Sequence, residues 1–146
     1  MDILNTLFSL AAAIFAGAAI ILARKYHKIS MLNAKSENLR KFIDVSWVLL
    51  SEYEIIENAL VKSKEISASY HVDPKLEAVI SDYLKELRAL GKAIDVSGLF
   101  SEKVHTSISE IYSLLRGVVE RPVNLTELAE KIKELQNIYV SGTATK

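Results

Sequence analysis

Cysteine is missing from this 146-residue chain, Pro occurs twice and Gly five times. Without thiols there is no disulfide framework, no cysteine nucleophile and no thiolate metal site. Scarce Gly and Pro exclude collagen-like, mucin-like and Pro/Gly-rich disordered chains. Neither charge sign is in excess, with 18 basic and 18 acidic side chains. Aromatics are few and are not interleaved with the basic residues, so no nucleic-acid partner is expected. What is abundant is apolar residues, half of the chain. The length suits about one domain.

The charge is balanced only in total. Ile3 to Ala23 carries no ionisable side chain. The next segment, 24–41, holds Arg24, Lys25, Lys28, Lys35, Arg40 and Lys41 against Glu37 alone. Twenty-one helical residues span roughly 32 Å at about 1.5 Å each, which matches a hydrocarbon core of about 30 Å. A cleaved signal peptide is one rival, but it would carry a basic n-region where this chain has Asp2. A buried core helix is the other, but few run so long without a charge. Residues 1–23 are therefore read as a transmembrane anchor. The flanking Arg24, Lys25 and Lys28 place the C-terminal part in the cytoplasm and the N-terminus outside, in a single pass of the cell membrane. Arg24, Lys25, Lys28 and Lys35 fix this topology and are candidates for contact with anionic lipid headgroups. Ser9, Ala13 and Gly17 recur every fourth residue, a small-residue face through which spans associate in lipid.

No Gly or Pro lies between Gly17 and Pro74, so the helix is expected to continue out of the membrane. Residues 24–41 read as a basic juxtamembrane helical connector. Leu39, Phe42, Ser46, Leu49, Tyr53, Ile56 and Leu60 then form a heptad-like seam, widened by Ile43, Val45, Trp47, Val48 and Leu50. Asp73-Pro74 is a helix start, followed by the stripe Leu76, Ile80, Tyr83, Leu87, Leu90, with Val79 and Leu84 beside it and Gly91 as a stop. Ser97-Gly98 reads as a turn. Val104, Ile108, Ile111, Leu115 and Val118 form a third stripe, closed by Arg121-Pro122. Asn124 with Glu127 reads as a capping box opening a last helix on Leu128, Ile132, Leu135 and Tyr139. The expected fold is all-α: an N-terminal transmembrane helix continuing into an elongated antiparallel helical bundle over 42–140, with a flexible tail at 141–146.

Chemistry is sparse. None of His27, His71 and His105 has a metal-binding partner four residues on, and no metalloprotease, phosphate-loop, nucleophile-elbow or dinucleotide motif occurs. Glu102-x-x-His105 is one copy of a motif that di-iron bundles use twice. Measured from the core residue Val104, Glu102 lies about 200° and His105 about 100° around the helix, so the pair points off the core. No catalytic, cofactor or metal site is expected, and no cofactor.

Several segments resemble the LemA family of bacterial and archaeal membrane proteins. Ile43-Asp44-Val45 resembles the family's IDV. Tyr53-Glu54-Ile55-Ile56-Glu57-Asn58-Ala59-Leu60, followed by Val61-Lys62, resembles its YDLIPNLV stretch. Leu76-Glu77-Ala78-Val79 resembles its LEAV. Leu114 to Pro122 resembles its LLAVVE-YP, and Leu135-Gln136-Asn137-Ile138 its L-x-x-x-EN-x-I. Glu57 stands where the family has proline, Arg121 stands where it has an aromatic, and its final ARxxYNxxVxxYN segment is missing. The chain thus looks like a divergent, C-terminally shortened member. The resemblance implies a membrane-tethered, elongated helical bundle without catalytic activity. The function expected is a scaffold or interaction module whose exposed helix faces recruit an unknown protein partner. The alternative is a self-assembling membrane or filament component, a homo-oligomer joined through the span.

Overall fold

The structure is a computed structural model that describes residues 2–62, 72–94, 100–120 and 124–144. Its elements are α1 (Asp2–Lys62), α2 (Pro74–Ile94), α3 (Glu102–Glu120) and α4 (Leu125–Ala144). No strand occurs among the described residues. The Ser97-Gly98 turn, the Arg121-Pro122 closure and the Leu60 side chain lie outside what is described. The chain divides into two units, Met1–Ala34 and Lys35–Lys146.

The first unit is wholly helical over its described residues. Its side chains from Phe8 to Met31 are all exposed, including Phe8, Leu10, Ile14, Phe15, Ile20, Ile21 and Leu22. Helix α1 is long and apolar enough to cross a membrane near the N-terminus, with a mean hydropathy of 1.6 in its most apolar window and none of that window buried. A core helix of this chain, the second rival above, would be mostly buried.

The second unit holds a hydrophobic core to which all four helices contribute. From α1 come Leu39, Phe42, Ile43, Leu49, Leu50, Tyr53 and Ile56. Ser46 sits in the same seam fully buried, and its hydroxyl donates to the Phe42 carbonyl at 2.7 Å. A buried hydroxyl needs a partner, and this one finds it one turn back in its own helix. Tyr53, also buried, reaches further: its phenol donates to the Leu115 carbonyl of α3 at 2.9 Å. Val48 departs from the expected broad seam and is exposed, as is Val79 beside the α2 stripe.

Asp73 caps α2 as expected. Its carboxylate accepts from the Lys75 amide at 2.8 Å, and its carbonyl from the Glu77 amide at 2.9 Å. Gly91 does not end the helix. A Cβ there would only make ordinary contact with Ile108, at 3.6 Å, and α2 runs on to Ile94, which is fully buried. Burial of Ile94 in phase with Ile80 and Leu87 outweighs the roughly 1 kcal/mol that Gly costs a helix. The α3 stripe Val104, Ile108, Ile111, Leu115 and Val118 is buried throughout. Asn124 caps α4 through its side-chain oxygen, which accepts from the Thr126 and Glu127 amides at 3.1 and 3.4 Å. Leu128, Ile132 and Leu135 are fully buried. Residues 141–144, read from sequence as the start of a tail, form the last turn of α4. There the Ser141 hydroxyl donates to the Asn137 carbonyl at 2.7 Å.

Candidate functional site

In the first unit, Ser9, Ala13 and Gly17 lie on one helix face within an arc of about 80°, and all three are exposed. A Cβ built on Gly17 meets nothing within 4 Å. The face is open to whatever surrounds the helix.

Arg24, Lys25 and Lys28 are exposed on the same helix, just past the apolar stretch, with Tyr26 among them. Arg24 and Lys28 share a face, about 40° apart, and Lys25 stands about 100° from Arg24. Lys35 differs from these three. It belongs to the second unit, is half-buried and has an interaction partner. Arg40 is paired with Glu37 at 3.0 Å. The exposed cationic cluster next to the apolar segment is therefore Arg24, Lys25 and Lys28, which sequence spacing alone did not separate from Lys35.

The second unit holds Glu102 and His105, the one sequence pair with di-iron-like spacing. Glu102 is exposed and His105 half-buried. Among the described residues no group of three His, Asp or Glu side chains could hold a metal ion. Lys131 on α4 instead links helices: its ammonium donates to Glu110 of α3 at 2.9 Å and approaches Glu134 at 3.6 Å. The hydrogen bond and attraction of Glu110 raise its pKa above 10.5. The pair is an inter-helix tie between α3 and α4.

One feature escaped the sequence reading. An open groove of about 380 Å³ lies along α2 and α3, above the fully buried Phe42 of α1. Leu87 and Ile108, also buried, lie beneath it, and the exposed Arg88 and Lys92 stand on its α2 rim. The spacing of Arg88 and Lys92, one turn apart, is visible in the sequence. The α3 residues opposite them are set only by packing. No family model, no curated protein and no solved structure matches this chain.

Proposed function

We propose that the chain is a single-pass, membrane-tethered helical scaffold or interaction protein of the LemA type, non-catalytic, with residues 42–140 forming a cytoplasmic helical bundle. The exposed apolar segment carries this reading. Phe8, Leu10, Ile14, Phe15, Ile20, Ile21 and Leu22 are all exposed. Removing seven such side chains from water is worth of order 10–20 kcal/mol at about 1.5–3 each. A helix satisfies its own amides, so acyl chains are the solvent that recovers this energy. Arg24, Lys25 and Lys28 then favour the cytoplasmic side and lie where anionic headgroups would be, each worth about 1 kcal/mol near such a surface. The short LemA-like segments support the same layout. A partner protein would dock on exposed faces of the helical part.

Alkaline extraction of membranes combined with protease protection tests this. The chain should stay in the pellet, and a C-terminal tag should resist protease in intact cells and be lost after permeabilisation. Recovery in the soluble fraction, or digestion of the tag in intact cells, defeats the proposal.

The open surface at Gly17 favours a second reading, self-assembly through Ser9, Ala13 and Gly17. Mass measurement in detergent separates the two. A defined oligomer abolished by Gly17→Leu supports assembly, and an unchanged monomer supports the simple tether.

A further inference from the structure

Helix α1 has a second side. From Leu39 to Ile56 its buried residues face the core. Roughly 180° around the helix, Lys41, Asp44, Val48, Ser51, Ile55 and Asn58 are all exposed. Val48 keeps 42% of its surface accessible and Ile55 64%, so apolar surface is on offer there. The spacing of these residues alternates three and four, the repeat of a coiled-coil seam. Lys41, Val48 and Ile55 take one core position of the heptad, and Asp44, Ser51 and Asn58 the other. The Ser51 hydroxyl donates to the Trp47 carbonyl at 3.0 Å, so covering it strands no polar group. Among the described residues, neither Lys41 nor Asp44 takes part in an ion pair.

We propose that this side of α1 pairs, parallel and in register, with the same side of a second copy of the chain. Val48 then meets its counterpart, and so does Ile55. β-Branched residues at this heptad position favour two parallel strands, and a Lys at one such layer fixes register at a cost in stability. Each Lys41 comes within reach of the partner's Asp44 in the next layer, so the two unpaired charges answer one another reciprocally. Antiparallel copies would make those ion pairs only by setting Val48 opposite the partner's Glu37. Val48 and Ile55 alone are a small apolar area, so the seam depends on copies aligned and concentrated by the proposed tether. The inference rests on that tether and not on the face made by Ser9, Ala13 and Gly17.

The chain has no cysteine, so single cysteines report the pairing cleanly. Val48→Cys and Ile55→Cys, oxidised in broken cells that make the full chain, should each give disulfide-linked dimers. Glu57→Cys, exposed but roughly 160° around the helix from Ile55, should not. Lys41→Asp added to Val48→Cys sets like charges across the seam and should cut linking severalfold, and further adding Asp44→Lys should restore it. Recovery in that triple variant shows that the loss is one of charge and not of folding. Gly17→Leu should leave linking intact, and loss of links there would assign the association to the span and overturn the seam. Alkaline extraction of the same samples reads the tether separately. A chain that stays in the pellet overturns the pairing, and leaves the tether standing, if it links at neither Val48 nor Ile55, links equally at Glu57, or ignores the charge reversal. A chain recovered in the soluble fraction overturns both.

Discussion

Two stretches of one helix treat the same side chains in opposite ways. In the first unit Phe15 is 75% exposed and Ile21 69%. In the second, Phe42 is 0% exposed and Ile43 3%. Hydrophobicity of the individual residue does not separate them. Periodicity does. Between Leu10 and Ala23 no polar side chain marks out a face, so nothing directs one side of the helix towards a protein partner. From Leu39 to Ile56, charged and polar residues alternate with apolar ones at helical spacing, and the apolar side alone is buried. A uniform apolar helix calls for a uniform apolar solvent; a striped one calls for a folded partner.

Charge placed in the uniform stretch should have the largest effect. Leu10→Arg with Ile14→Arg would cost about 5–7 kcal/mol at the centre of a membrane span, at about 2.5–3.5 per Arg. The double variant should leave the membrane pellet on alkaline extraction while the helical part keeps its unfolding midpoint. The converse change, Leu115→Ala, should lower stability by about 2–5 kcal/mol through the cavity it opens. Denaturant titration followed by circular dichroism reads this loss, and membrane retention should not change. If either variant altered both properties, the contrast between the stretches would fail. Tyr53→Phe keeps the packing and removes one hydrogen bond to Leu115, for a loss of about 1 kcal/mol in the same titration. The smallest effect is expected at Lys131. Its pKa is raised by Glu110, so its stabilising contribution is complete below 10.5 and fades as pH rises through the folded value. The side chain is half-exposed and solvent screens the pair. The stability gap between the natural chain and Lys131→Met should therefore be small at neutral pH and close at strongly alkaline pH.

Much of the helical layout could be read directly from residues. The seam from Leu39 to Ile56, the Asp73 cap, the α3 stripe and the Asn124 cap all follow from local spacing, because a helix face and a cap are set within a turn or two. The expected stop at Gly91 and the expected tail from residue 141 differ from the structure, since intrinsic preference is a weak prior. At Gly91 the distant burial of Ile94 decides. Val48 and Val79 were assigned to faces by residue type, yet exposure depends on which neighbour arrives. The groove was invisible for the same reason. Its two sides are close in space only after α2 and α3 pack, and no pattern along the chain pairs Arg88 with Ser109.

The Tyr53 phenol also acts as an index pin. Ser46 closes its hydroxyl on its own helix, so it imposes no polar key on a neighbour. A slide of α1 by one heptad, about 10.5 Å along its axis, would keep greasy residues against greasy residues but bring Ser46 or Leu60 opposite Leu115. Neither can reach that carbonyl as a phenol does, and the misaligned arrangement would bury the Tyr53 oxygen against the wrong turn or strand it in water. A single aromatic hydroxyl thus gives an otherwise slippery helical surface a preferred longitudinal setting.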